Sequence, residues 1–311
     1  MNKGKHMNNG VILHELIESI PDFPKPGILF RDMSPLLANP FAFGMVIDLM
    51  QSRWKHAGVT KIGAFDARGF IFAGALAKEM TLPFFMIRKK GKLPGKTVRK
   101  EYGLEYGRDS LEIKEGVVQK DDRVLFVDDL LATGGTAHAG KELIESFGAS
   151  VVGLSTLMEL GELGGRELFA GEVYALLTYG KTIEMTDVIA RYESKIVLIE
   201  RLHYPYGFAF PGGHVDPGEN AEEAAGREFT EETGLVLTGK KFFMEKSGAW
   251  RDPRYESSHS CVFTGEAHGE IRDEKHLTKV VLMSPEEILA MPDEKFAFDH
   301  AMVLKKFILN R

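Results

Sequence analysis

Apolar residues at positions 12, 13, 16, 17 and 20, in "VILHELIESI", recur at the spacing of a helix that buries one side, and "PDFPKPG" stops it. From 61 to 179 the pattern changes to short apolar runs, "KIGAFD", "LPFFMI", "RVLFVDD", "SVVGLSTLMEL" and "VYALLTY", separated by helical stretches such as "GFIFAGALAKEM" and "TAHAGKELIESFG". That alternation predicts a parallel sheet flanked by helices, with ligands beyond the carboxyl ends of its strands. Near 180–185 the texture shifts. Two adjacent strand-like runs, "TDVIARY" and "KIVLIERL", lead into a Gly-rich turn, an acidic helical run, more strands and a terminal helix in "FAFDHAMVLKKFIL". Strands bunched around isolated helices predict a second unit of α+β or α/β/α type. Ser284 in "SPEE" has the spacing of a helix cap.

Composition supports this division. A chain of 311 residues, 44% hydrophobic and 27% charged, is long enough for two cores. Its net charge of -6 argues against a general nucleic-acid or membrane-surface binder and points to small-molecule partners. One cysteine, Cys261, excludes an intrachain disulfide and reads as a small packed strand residue. The polar tail, residues 1–10, lacks the apolar core of a signal peptide, and no run reaches membrane-spanning length. A cytoplasmic protein is the expectation.

In "VLFVDDLLATGGT", 124–136, the apolar run suits a buried strand, and Asp128 and Asp129 fall where it should emerge. Ala132, Thr133, Gly134, Gly135 and Thr136 follow, then a helical run, so amides and hydroxyls can converge on an anion at a helix amino terminus. No lysine follows the glycines, which excludes the nucleotide P-loop. A tight turn explains the glycines alone; two acids beside a phosphate nest fit a sugar phosphate, whose hydroxyls they would bind.

With "PDFPKPGILFRDMSP", "DARGF", "RKKGKLPG" and "LEYG" in the same order, residues from about 11 to 180 resemble adenine phosphoribosyltransferase. The resemblance implies a type I phosphoribosyltransferase-like parallel sheet with flanking helices, in a homodimer. It implies transfer of phosphoribose from phosphoribosyl pyrophosphate to adenine, giving AMP and pyrophosphate, with Mg2+ on the pyrophosphate. The departing phosphates gain negative charge, so cations are required. The basic stretch 88–100, with Arg88, Lys89 and Lys92, otherwise a solvated loop, becomes a lid over pyrophosphate. By the same resemblance Arg68 contacts the pyrophosphate, Asp128, Asp129 and 132–136 hold the sugar phosphate, and Leu29, Phe30 and Arg31 form the adenine pocket. Glu105 handles the proton at the base.

The acidic run raises a separate question. Glu228, Glu231 and Glu232 are spaced i, i+3 and i+4, which places them on one side of a helix, where unneutralised carboxylates repel. Oxygen ligands in this number suit Mg2+ or Mn2+, and the Gly-Gly turn before them offers a carbonyl. The register from Gly213 through Glu219 and Arg227 to Leu235 satisfies the signature of Nudix hydrolases, with Phe229 bulkier than the usual aliphatic residue, and residues from about 183 to 311 resemble that family. The resemblance implies an α/β/α sandwich in which Gly213, Glu228, Glu231 and Glu232 hold metal and Arg227 orients a glutamate. It implies metal-assisted cleavage of a P–O–P bridge. Glu219 takes a supporting or structural role.

"WRDPRYESSHSCVF" and "FAFDHAMVL" resemble the ADP-ribose pyrophosphatase branch, which implies cleavage of ADP-ribose to AMP and ribose 5-phosphate; "EKHLTKVVLMS" departs from it. Arg251 and Arg254 either contact the substrate's phosphates or sit on a surface hairpin. His300 reads as a packed or capping helix residue, and His14, His203 and His214 read the same way. Two other readings stay open: hydrolysis of a nucleoside triphosphate or nucleotide sugar, and a catalytically silent nucleotide sensor.

Overall fold

The computed structural model of this chain describes residues 13–104, 107–249, 251–274 and 277–309. It divides into two units, Val11–Lys181 and a second containing Thr182–Arg311.

The first unit opens with β1 (Glu18–Pro21) and β2 (Leu29–Asp32), an antiparallel pair in which Ile20 faces Phe30. The helix expected over "VILHELIESI" is therefore a single 3-10 turn, Leu13–Leu16, followed by a strand. Among the described residues of that stretch only Leu13 and Ile17 are buried, a narrow apolar face, and β2 captures the following backbone as a ladder partner. Next come α1 (Ser34–Ala38), α2 (Pro40–Trp54), β3 (Lys61–Phe65), α3 (Gly69–Met80) and β4 (Phe84–Lys89). A hairpin of β5 (Thr97–Leu104) and β6 (Gly107–Lys114) follows, then β7 (Arg123–Leu131), α4 (Gly135–Glu145), β8 (Ser150–Leu160), α5 (Gly165–Phe169) and β9 (Val173–Tyr192). Strands β4, β3, β7, β8 and β9 run parallel in that order, and β6 joins β4 antiparallel. Val124 and Phe126 face a cluster shared with Leu143 and Ile144 of α4, while Leu125 and Val127 are buried on the other face, where α3 packs against β3 and β7. A sheet covered on both sides is what the uninterrupted apolar runs anticipate.

Two boundaries differ from the sequence reading. Strand β7 continues to Leu131, bonded to β8, so Asp128 and Asp129 lie inside the strand near its end. The basic stretch 88–100 is only partly a loop: its ends belong to β4 and β5. Charged residues on the β5–β6 hairpin mask the alternation of Val98, Leu111 and Ile113 toward the core.

In the second unit, the later part of β9 pairs with β10 (Lys195–Arg201), whose other partners are β11 (Gly207–Ala209) and, later in the chain, β15 (Thr278–Met283). β12 (Gly212–His214) also pairs with β9, α6 (Ala221–Thr233) follows, and β13 (Val236–Ala249) and β14 (Tyr255–His268) form a long hairpin. α7 (Pro285–Ala290), capped by Ser284 as expected, and α8 (His300–Leu309) complete it. Alternate strand residues part to opposite faces. Val188, Ala190 and Val197 pack on Ala225 and Phe229 of α6, whereas Ile189, Ile196 and Leu198 pack on Ile288 of α7 and Leu304 and Phe307 of α8. This is the α/β/α sandwich. Among the described residues no helix is long and apolar enough to cross a membrane.

Candidate active sites

In the first unit, Gly134 precedes α4 with φ +80°, and a Cβ there would lie 2.4 Å from the Gly165 carbonyl oxygen. A Cβ on Gly165 would in turn meet the Ala132 oxygen at 2.1 Å, so the two turns touch only as glycines. Gly135 is different: nothing lies within 4 Å of its missing side chain. The open space belongs to a pocket of about 110 Å³ lined by Asp128, Leu130, Leu131, Ala132, Thr133, Gly134, Gly135, Thr136, Ala137 and Leu154. Amides at the start of an 11-residue helix therefore border a recess with room for an anion.

Asp128 lines it, and Asp129 is the next residue of the strand. Burial, then the neighbouring Asp129 charge, pushes the Asp128 carboxyl well above its ordinary value. The Asp129 amide donates to Asp128 Oδ1 at 2.9 Å, and Arg68 Nε pairs with Asp129 Oδ2 at 2.9 Å. The Arg68 guanidinium also lies 5.6 Å from the centre of the Phe30 ring, so one arginine touches both Asp129 and Phe30. Phe30 meets Phe23 edge-on at 5.1 Å. Leu29 is exposed beside it, and Arg31 stacks on Tyr179 at 4.0 Å and donates to Ser19. Glu105 lies outside the described residues.

The expected lid is anchored by two acids that its own sequence does not contain. Arg88 and Lys92 both pair with the buried Asp66, at 3.2 and 3.0 Å. Burial alone would raise the Asp66 carboxyl, but these two cations outweigh it and hold it below its ordinary value. Glu112 on β6, fully buried, accepts from the Lys92 and Leu93 amides, Thr97 Oγ1 and Arg99 Nε. Burial opposes its charge, and those donors prevail to lower its pKa. Lys89, at the end of β4, is exposed. Glu112→Gln should therefore destabilise the unit by about 2 kcal/mol, because its amide hydrogens face donors. It should also make residues 90–96 the first site of tryptic cleavage; urea titration and timed trypsin digests measure both, and wild-type cleavage rates would remove this role from Glu112.

In the second unit, Asn220 starts α6 through a capping box with Glu223, and Gly234 ends it. The three expected glutamates are gathered but not equivalent. Glu232 is half-buried and accepts from the Gly212 amide at 2.9 Å; desolvation pushes its pKa to about 8, opposed by that amide and by Arg201. The Glu228 carboxylate lies so close to Gly213 that a Cβ there would fall 2.4 Å from its Cδ, and burial raises its pKa too. The Glu231 side chain is the most open, 60% exposed. Arg227 bonds Glu228 at 2.8 Å, Glu231 at 3.4 Å, the His214 carbonyl at 3.0 Å and Glu219 at 2.5 Å. Arg227 thus spans Glu228 and Glu231, and Glu219 anchors it. Among the described residues no three side chains converge on one point at metal-bond distance. The donor chemistry nevertheless suits a hard divalent cation: half-buried carboxylates whose charge is disfavoured, beside the carbonyl-bearing Gly213 turn.

A cavity of about 230 Å³ joins these glutamates to Arg201, Arg251, Arg254, Phe298 and His300. Arg251 and Arg254 thus line it, but both are held by carboxylates. Arg251 pairs with Asp187 at 3.3 Å and Asp299 at 3.0 Å, and Arg254 grips Asp252 at 2.6 Å. His300 is a packed residue, stacked on Phe210 and accepting from its amide at 2.9 Å, with burial driving its pKa to about 4. His203 and His214 line the cavity as well, the latter bonded to the Tyr255 hydroxyl at 2.9 Å. Glu274 is an addition: burial and the charges of Glu228 and Glu231 raise its carboxyl. Arg201 and Asp187 are others. None carries a local spacing signal, because each comes from a different strand or loop.

Comparison with known proteins gives a phosphoribosyl transferase domain over residues 36–170 and a NUDIX domain over 185–307. The chain is 52% identical over 155 residues to the adenine phosphoribosyltransferase of Idiomarina loihiensis, covering 50% of this chain and 88% of that protein. It is 51% identical over 166 residues to the enzyme of that name from Francisella tularensis, covering 52% and 95%. Among solved structures, adenine phosphoribosyltransferase of Thermoanaerobacter pseudethanolicus superimposes with a TM-score of 0.52 at 42% identity, covering 54% of this chain and 98% of that one. The Saccharomyces cerevisiae enzyme, complexed with adenine and an imino-altritol bisphosphate, gives 0.51 at 36% identity, covering 53% and 96%.

Proposed function

Because this chain belongs to the adenine phosphoribosyltransferase family through its first unit and carries a NUDIX hydrolase domain in its second, we propose that it is a bifunctional enzyme with two AMP-forming sites. The first transfers phosphoribose from phosphoribosyl pyrophosphate to adenine; the second hydrolyses ADP-ribose to AMP and ribose 5-phosphate. For the transferase, the recess lined by Asp128 and the 132–136 turn, with Asp129 next to it in the strand, suits the 5-phosphate and ribose hydroxyls, and Phe30 beside Arg68 suits the base. Arg68, Arg88, Lys89 and Lys92 supply positive charge for the departing pyrophosphate. The same face of β4 exposes Phe84 and Met86, an apolar strip that supports pairing with a second copy.

For the hydrolase, the carrying observation is one cavity lined by both the glutamates and several arginines. Glu228, Glu231, Glu232 and the Gly213 carbonyl would hold Mg2+ or Mn2+, which would polarise the diphosphate and acidify a water. Arg227 screens the repulsion among the glutamates and fixes Glu228. Glu274, whose carboxylate makes no ion pair among the described residues, is placed to take the proton of the attacking water. A panel of ADP-ribose, nucleotide sugars and nucleoside triphosphates with Mg2+, scored by products, tests the assignment. AMP and ribose 5-phosphate from ADP-ribose are the expected products. Faster cleavage of another compound would replace the substrate, and binding without turnover would make the unit a sensor.

A further inference from the structure

Arg201 ends β10 with 8% of its surface exposed. Its Nε donates to the Pro205 carbonyl at 2.7 Å, and Nη2 reaches the Tyr204 carbonyl and the His203 ring. Those bonds aim the guanidinium into the cavity, yet among the described residues Arg201 makes no ion pair and Nη1 makes no hydrogen bond. Its cationic neighbour is Arg254, which Asp252 neutralises, and the two guanidiniums lie 5.2 and 5.7 Å from the Phe298 ring centre. Burial, followed by repulsion from Arg254, weakens its hold on its proton, to a pKa of about 10. Glu232 and Asp252 attract it from a distance, but a buried arginine with no carboxylate in direct contact is costly unless an anion arrives to meet it. Arg251, by contrast, already has two carboxylates.

We propose that Arg201 binds the substrate's diphosphate directly, gripping the phosphoryl group on the side away from the glutamates, with Arg254 and Phe298 as the wall that orients it. The assignment rests on the hydrolase reading and deepens it. Arg201 and Glu232 attract one another, so the guanidinium borders the glutamates of the cavity, within reach of a phosphate attached to one held there. Charge that develops on the departing phosphate in the transition state then meets a fixed, dehydrated donor.

The test compares Arg201→Gln and Arg201→Lys with the unsubstituted residue, all in a Gly134→Ala background that disables the other AMP-forming site, in ADP-ribose hydrolysis, in Mn2+ binding by electron paramagnetic resonance, and in AMP binding without metal by calorimetry. Arg201→Gln is expected to lose about 100-fold in kcat/KM and about tenfold in AMP affinity. Arg201→Lys, which keeps the buried charge but offers one nitrogen, should lose about tenfold in kcat/KM. Mn2+ affinity should be unchanged or tighter, because a cation near Glu232 has gone. A structural role would weaken metal binding together with turnover, and that result, in the Lys variant if the Gln variant unfolds, would overturn the assignment. So would turnover and AMP binding within threefold of wild type. If wild type binds Mn2+ but cleaves no diphosphate, the hydrolase reading fails, and AMP affinity alone then decides the assignment of Arg201.

Discussion

Glu232→Gln is expected to reduce diphosphate hydrolysis by about three orders of magnitude while leaving AMP synthesis from adenine unchanged. Glutamine preserves the volume and can still accept from the Gly212 amide, but it cannot carry the charge proposed to hold a divalent ion. The size follows from losing a direct metal ligand rather than a supporting contact. The same carboxyl makes a pH prediction. Its folded-state pKa, about 8, lies above its ordinary 4.5, so between those values the folded chain keeps a proton that the unfolded chain releases. Stability of the metal-free unit should therefore fall as pH rises from about 4.5 to 8 and level off above. Metal affinity should rise over the same window, as binding expels that proton. In Glu232→Gln both dependences should flatten, although the raised carboxyls of Glu228 and Glu274 leave a remnant. Urea unfolding and Mn2+ titration from pH 5 to 9 measure them, and a flat wild-type profile would contradict the desolvation of Glu232.

Gly134→Ala should abolish the other activity. The backbone there has φ +80°, and the new methyl would sit 2.4 Å from the Gly165 oxygen, a main-chain atom that cannot swing aside. Relief requires moving the turn that carries Ala132 to Thr136, and with it the amides that face the recess. A displacement of about 1 Å in such a site costs about 100-fold. Transferase kcat/KM should fall at least that far, with hydrolysis intact. Gly135→Ala, which meets open space in the empty recess, should fold normally and act only by crowding the bound phosphate. Equal behaviour of the two variants in folding assays would refute the contact between the turns.

What could be read along the chain was what local spacing encodes. Glu228, Glu231 and Glu232 declare themselves because helical geometry puts i, i+3 and i+4 together. The TGGT turn does so because a strand and a helix flank it. Asp66 and Glu112 were illegible as anchors of the 90–96 loop, since each reaches it from another strand or turn. Arg201 was hidden in the run "KIVLIERL", where it looks like the polar end of a strand, and its lack of a direct ion pair among the described residues is a fact of three-dimensional packing. Arg251 and Arg254 were visible as cations but not as already partnered ones. The leading stretch "VILHELIESI" misled because five apolar positions satisfy a helical period whether or not a surface exists to receive them.

Arg227 has one further implication. A guanidinium that binds Glu219 and spans Glu228 and Glu231 resembles a permanent resident counter-ion, covalently tethered where a mobile one would come and go. The acidic helix therefore has its own source of cohesion, and cation supply can govern when this half of the molecule works without governing whether it exists.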